Sequence, residues 1–309
     1  MNAQPYDLIG DIHGQHGKLI ALLNRLNYHE VGSTWKHPEG RKVIFLGDYI
    51  DRGPMIREVL HTVREMVDAG DALAIMGNHE FNAISYATAD GKGGYLRERI
   101  EKNVKQHART LMAFKEREDE WSAWIQWMKR LPMFLDLGGL RAVHAAWDAR
   151  HLEILNGTPL LDDHFLLASA AKGTPEYDAV EVLLKGPEMT LPDGLYFEDK
   201  EHIKRKNIRV RWWGLEEGIP IGDLVMPEPM PELHESVTAE MLLDLPNYGA
   251  NEPPVFFGHY WLPPHREKAP LARNLASLDY SAAFGENPLT AYRWDGEQVL
   301  SAEKFITNT

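Results

Sequence analysis

Three short apolar runs each stop at a glycine, and each is followed at once by acidic, amide or imidazole side chains. Tyr6-Asp7-Leu8-Ile9 leads into Gly10-Asp11-Ile12-His13-Gly14, and Lys42-Val43-Ile44-Phe45-Leu46 into Gly47-Asp48-Tyr49-Ile50-Asp51-Arg52-Gly53. Ala72-Leu73-Ala74-Ile75-Met76 leads into Gly77-Asn78-His79-Glu80. Runs this short and this apolar describe strands of a sheet covered on both faces. The intervening stretches Lys18–Leu26 and Met55–Ala69 read as helices. Strand–turn–helix alternation predicts α/β architecture, in which functional groups collect at the carboxyl ends of the strands. Glycine at each turn lets the backbone bend sharply and come close to an ion or a phosphate.

Asp11, His13 and Asp48 offer oxygen and nitrogen donors, and Asn78 adds a carbonyl oxygen. The chain has no cysteine, so no thiolate is available. Such a donor set disfavours copper(I) and iron–sulfur chemistry and suits manganese, zinc, iron(II) or cobalt. Two divalent ions about 3.5–4 Å apart clamp the attacking and leaving oxygens of an in-line displacement. Asp48, with two carboxylate oxygens, is the expected bridge. Two later histidines meet the same local description. His144 ends the run Leu140-Arg141-Ala142-Val143 that leaves a hairpin turn at Gly138-Gly139, and His259 follows Val255-Phe256-Phe257-Gly258.

The three motifs, in this order, resemble the PPP-family metallophosphatases of calcineurin-like metallophosphoesterase type. That group includes Ser/Thr protein phosphatases and bacterial symmetrical diadenosine tetraphosphate hydrolases. The matching segments run from Gly10 to roughly Glu297, and Gly-Asp-x-x-Asp-Arg-Gly is the specific one. The resemblance implies a central two-sheet β-sandwich flanked by helices. It implies one metal on Asp11, His13 and Asp48 and a second on Asp48, Asn78, His144 and His259. It also implies that Asp51 orients His79 and that Arg52 holds the phosphate. The fourth motif here is His144-Ala145-Ala146-Trp147, nearer the His-Ala-Gly form of the bacterial hydrolases than the His-Gly-Gly of the animal phosphatases. Asp279-Tyr280-Ser281 stands where those hydrolases usually have Asp-Thr-Gly.

These parts describe attack on phosphorus by hydroxide from metal-acidified water. The Arg52 fork is expected to meet two phosphoryl oxygens, and His79 to protonate the leaving oxygen. Ile208-Arg209-Val210-Arg211-Trp212-Trp213 alternates like a half-buried strand, which places Arg209 and Arg211 on one face as candidate phosphate ligands. Asn78 is a candidate substrate contact as well as a ligand. The expected function is phosphomonoester hydrolysis, on a phosphoprotein or a small molecule. Dinucleoside polyphosphate hydrolysis is the alternative, and an inactive metal-binding scaffold is the reading from another class. His16 reads as structural, and the histidines outside the motifs as surface residues.

The expected organisation is one catalytic domain over residues 1–309, because proposed ligands from Asp11 to His259 must converge. An insertion at about 160–246, rich in Pro, Gly and charge, is the candidate specificity element. A helical region from around Leu96 to Leu131 ends at Pro132. Within it Trp121, Trp124, Ile125 and Met128 form a core-facing stripe, and Asp295-Gly296 reads as a two-residue hairpin turn. Net charge is -13, which argues against general nucleic-acid binding. The early first strand leaves no room for a signal peptide, and no apolar stretch reaches membrane-spanning length. The expected location is therefore cytoplasmic, with a phosphorylated substrate as partner and the oligomeric state open.

Overall fold

Strands β1 (Tyr6–Ile9), β2 (Lys42–Phe45) and β3 (Ala72–Ala74) run parallel, with Leu8 opposite Ile44 and Ile44 opposite Leu73. The structure is a computed structural model and describes residues 4–155, 161–198 and 204–309. A second parallel set follows a hairpin of β4 (Phe134–Asp136) and β5 (Arg141–Val143), which turns at Gly138-Gly139 as predicted. It continues through β6 (Val255–Phe257) and β7 (Leu275–Ser277). Strand β8 (Thr290–Trp294) returns antiparallel to β1, and β9 (Phe305–Thr307) pairs antiparallel with β8. The result is a five-stranded sheet ordered β9-β8-β1-β2-β3 and a four-stranded sheet ordered β7-β6-β5-β4.

Alternation along each strand explains why both faces had to be apolar. Leu8, Ile44, Ala142, Phe256, Ala276 and Tyr292 meet in one buried cluster between the sheets. Their neighbours Ile9, Val43, Phe45, Val143, Val255, Phe257 and Leu275 belong to a second cluster shared with the helices. Helix α1 (His16–Arg25) buries Leu19, Leu22 and Leu23 there, and α2 (Ile56–Asp68) buries Ile56, Val59, Leu60, Val63 and Met66. That spacing is the apolar stripe of an amphipathic helix, and each such side chain contributes about 1.5–3 kcal/mol on burial. This is the two-sheet sandwich flanked by helices that the family resemblance implied.

Several boundaries differ from the sequence reading. Helix α3 (Asn78–Ala87) begins inside the third motif and was not anticipated. The helical region from Leu96 to Leu131 is two helices, α4 (Glu101–Ala113) and α5 (Glu118–Met128), broken where Glu116 takes a φ of 60°. Trp124, Ile125 and Met128 are buried as the stripe predicted, with Trp121 partly so. Asp295-Gly296 does not join two strands by itself, because β8 ends at Trp294 and its partner starts at Phe305.

The insertion is physically two things. Helices Asp163–Ser169 and Pro175–Lys185 place Phe165, Leu166, Val180, Leu183 and Leu184 in the main cluster. The part beyond them has its own apolar centre around Met189, Ile208, Val210, Leu224 and Val237. Residues 156–160 and 199–203, which include the start of the predicted insertion, lie outside the described residues. Among the described residues, no helix is long and apolar enough to cross a membrane.

Candidate active site

Both parallel strand sets discharge polar residues at their carboxyl ends. Asp11, Asp48 and Asn78 follow β1, β2 and β3, while His144 and His259 follow β5 and β6. The Asp48 carboxylate is the hub. Its Oδ2 lies 3.5 Å from His13 Nε2 and its Oδ1 lies 3.4 Å from His144 Nε2. The Asn78 carbonyl oxygen sits 3.0 Å from His144 Nε2 and 2.9 Å from His259 Nδ1. Two groups of ligand atoms lie within 4.8 Å of one another: Asp11, Asp48 and His144, and His13, Asp48 and His79. Asp48 belongs to both, the position expected of a bridge.

The backbone is strained at these residues. His13, Asp48, Asp51, Arg52 and His259 have φ of 47°, 53°, 66°, 63° and 69°, a region that non-glycine residues seldom occupy and that clusters at functional sites. Two glycines are required by close approach. A Cβ on Gly258 would fall 1.9 Å from Asp11 Oδ1, and one on Gly77 would fall 2.2 Å from Asp48 Oδ1. Glu80 organises the turns, its carboxylate accepting the amides of Gly77, Asp48, Tyr49 and Ile50 at 3.0, 2.8, 2.8 and 3.3 Å. His13 Nδ1 is held at 2.9 Å by the Ile50 carbonyl, while its buried Nε2 has no hydrogen-bond partner. A buried imidazole nitrogen without a partner, facing a shared carboxylate among hard oxygen and nitrogen donors, fits divalent metal ions.

The field in this cluster is uneven. Burial pushes the His13 imidazole down to about 3. Burial also acts to lower His144, but the carboxylates of Asp48 and Asp11 overcome it and push that imidazole up to about 10. Burial, with Asp279 nearby, raises the Asp11 carboxyl well above the usual range. Burial opposes ionisation of Asp48, yet His144 and His79 hold its carboxyl well below normal. His259 is pushed well down by burial and by Arg209. The buried His79 is nonetheless raised, because Asp48 and Asp51 outweigh desolvation.

Beside the hub, His79 Nδ1 lies 2.5 Å from Asp51 Oδ2 and its Nε2 lies 3.4 Å from Arg52 Nη2. Arg52 stacks on Trp261, 3.7 Å from the ring centroid. Arg209 Nη1 lies 3.0 Å from His259 Nε2, and Arg209 also pairs with Glu188 at 2.9 Å. A cavity of about 350 Å³ is lined by Arg52, Asn78, His79, Arg209, Met226 and Trp261 among others. Arg211 stands elsewhere. Regular pairing ends at Arg209, and the Arg211 guanidinium donates to the Gly214 carbonyl instead. Sequence reasoning also missed residues. His107 is buried against Asp51, correcting its reading as a surface residue, and His37 is buried as well. Asp279, noted only as a departure from a motif, is buried after β7 and accepts the amides of Trp261 and Ser281 at 2.7 and 2.9 Å. His16 bonds Thr62 at 3.1 Å and ties α1 to α2, a structural role.

The family model described as calcineurin-like phosphoesterase matches residues 5–260. A protein of Halalkalibacterium halodurans named bis(5'-nucleosyl)-tetraphosphatase PrpE [asymmetrical] is 40% identical over 74 residues, covering 24% of this chain and 30% of that protein. Its namesake in Anoxybacillus flavithermus is 42% identical over 74 residues, with the same coverage. The match therefore spans less than a third of either relative's length. A Saccharomyces cerevisiae protein serine/threonine phosphatase with similarity to human phosphatase PP5 shares the fold, at a TM-score of 0.50 and 12% identity over 98% of this chain and 78% of that one.

Proposed function

We propose that this chain, which belongs to the calcineurin-like phosphoesterase family, removes a terminal phosphoryl group from a phosphomonoester borne by a phosphoprotein or a small molecule. The family is one of metal-dependent hydrolases, which sets aside the inactive scaffold. The observation that carries the substrate reading is the cavity of about 350 Å³, into which two guanidiniums, Arg52 and Arg209, project beside His79 and His259. Two arginines offer donors enough for a dianionic terminal phosphoryl group, and the volume leaves room for a modest leaving group.

Asp11, His13, Asp48, Asn78, His144 and His259 would hold two divalent ions, manganese by preference. Such ions, when bound, supply Lewis-acid stabilisation of phosphoryl charge and acidify water. The chain's own groups do the rest. Arg52 and Arg209 orient the phosphoryl oxygens. Asp51 takes the Nδ1–H of His79 and leaves the Nε2–H directed at the cavity, where it protonates the leaving oxygen. Asp48 and Asp51 raise the His79 pKa above its ordinary value against the opposing effect of burial, the direction a proton donor needs. A cytoplasmic setting, a single catalytic domain and a phosphorylated substrate as partner belong to the same proposal.

A second reading, dinucleoside polyphosphate hydrolysis, is favoured by the 74-residue match to proteins named bis(5'-nucleosyl)-tetraphosphatase. The Met226-Pro227 wall contributed by the insertion favours the monoester. The test is the ratio of kcat/KM for a phosphomonoester and for diadenosine tetraphosphate under the same metal conditions. A ratio strongly favouring the dinucleotide replaces the first reading with the second.

A further inference from the structure

The Asp51 carboxylate is shared by three donors from two different helices. His79 Nδ1, from the first turn of α3, lies 2.5 Å from Oδ2. On the other oxygen, His107 Nδ1 lies 2.8 Å from Oδ1 and the Thr110 hydroxyl donates to it at 2.5 Å. The same Thr110 oxygen accepts the Asp51 amide at 3.0 Å, so threonine and aspartate are joined twice. His107 and Thr110 both lie on α4, and their i, i+3 spacing puts them on one face of that helix. Both are buried, at 6% and 0% exposure.

We infer that His107 and Thr110 are positioning residues for the general acid: they fix the plane of the Asp51 carboxylate and through it the orientation of the His79 imidazole. The inference rests on the reading of His79 as the acid and deepens it. Three features support a directed role over simple burial of a charge. Asp51 is held at a φ of 66°, so its backbone alone does not place the carboxylate in a relaxed geometry. An ionised carboxylate accepts only, which fixes the proton of His107 on Nδ1. That leaves the buried Nε2 of His107 without a partner, a cost accepted for the contact with Asp51. The ring of His107 is itself located by Tyr86 and Trp121, with centroids 5.3 and 5.8 Å away. The helical region beside the site is thus tied to the proton donor and not only to the core.

The test uses the full chain, metal-free and zinc-loaded. His107→Phe keeps a ring against Tyr86 and Trp121 but removes the donor. His107→Asn restores a donor near the Nδ1 position, and Thr110→Val removes the hydroxyl at nearly constant shape. The first readout is the low-field proton resonance of His79 Nδ1–H, which reports the short contact to Asp51 without any turnover. It should move upfield or broaden in His107→Phe and Thr110→Val and return towards its wild-type position in His107→Asn. The second readout is leaving-group dependence. His107→Phe should lose about 10–100-fold in kcat with an alkyl phosphate, the range typical of a residue that orients an active group. It should lose little with p-nitrophenyl phosphate and keep KM for both. An unmoved resonance in His107→Phe, or equal losses on the two substrates, overturns the positioning role. If the wild-type protein hydrolyses neither substrate, the function proposed above fails, and the positioning role is then decided by the resonance alone.

Discussion

Replacing Gly258 by alanine adds one methyl group at the most crowded point of the site. The new Cβ would lie 1.9 Å from Asp11 Oδ1, where ordinary contact begins at 3.4 Å. Relieving the overlap requires a displacement of about 1.5 Å, shared between Asp11 and the backbone at Gly258. Neither has slack. Asp11 is 1% exposed, its two oxygens accept the His259 amide at 3.3 and 3.1 Å, and the Gly258 amide donates to the His144 carbonyl at 2.9 Å. Three proposed ligands therefore move together. A misplacement of about 1 Å can cost on the order of 10²-fold in rate, so kcat/KM should fall by about 10²-fold or more, or roughly 2.7 kcal/mol of transition-state stabilisation. Overpacking should cost the fold about 1–3 kcal/mol, a loss that leaves a folded protein to assay. The measurement is metal-dependent p-nitrophenyl phosphate hydrolysis across a manganese titration, with bound metal counted by elemental analysis. Activity and metal affinity within threefold of the wild type would refute the argument that Asp11 and His259 are ligands held in register by the missing side chain.

Three further outcomes follow from the geometry. His79→Asn should retain bound metal but lose about 10²–10⁴-fold in turnover with a poor leaving group, and much less with p-nitrophenol as leaving group; equal losses would remove His79 from the acid role. Metal-reconstituted protein should contain close to two ions per chain by elemental analysis, since Asp48 stands in both ligand groups, and a fully active protein at a ratio near one contradicts the dinuclear reading. Burial acts to raise the Asp148 carboxyl, but His151 and Arg150 outweigh it and hold it at about 2, below its ordinary 3.8. That stability is present above pH 3.8 and lost as pH falls through 2, so Asp148 should contribute about 2 kcal/mol to the acid weakening of urea unfolding, and Asp148→Asn should show a fall smaller by that amount than the wild type.

The motifs were legible because each chemically active residue immediately follows a buried strand, and strand, turn and ligand are neighbours in sequence. Asp11, Asp48, Asn78, His144 and His259 all announce themselves in this way. His107 does not. It sits in mid-helix, far along the chain from Asp51 and inside a charged amphipathic stretch, and only the packing of α4 shows what it touches. Glu80 was visible as part of its motif, but its task of gathering amides from two loops is a tertiary fact. The pairing of Arg209 with Arg211 failed for a specific reason. The ladder with Glu188–Thr190 ends at Arg209, the chain pairs next with Leu224 and Val225, and the Arg211 guanidinium turns to the Gly214 carbonyl. The two-residue turn at Asp295-Gly296 failed because a short 3₁₀ segment, Ala302–Lys304, intervenes before the chain pairs again.

The proposed ligands come from both sheets: Asp11, Asp48 and Asn78 from the ends of β1, β2 and β3, His144 and His259 from the ends of β5 and β6. The complete set exists only once the two layers have docked, whereas Asp11, His13 and Asp48 already meet at the ends of β1 and β2 within one sheet. Divalent ions held by the full proposed set would act as a clasp across the seam. Their binding free energy would then add to the cohesion of the layers in proportion to the logarithm of metal concentration, and the melting temperature would become a gauge of how well that centre is filled.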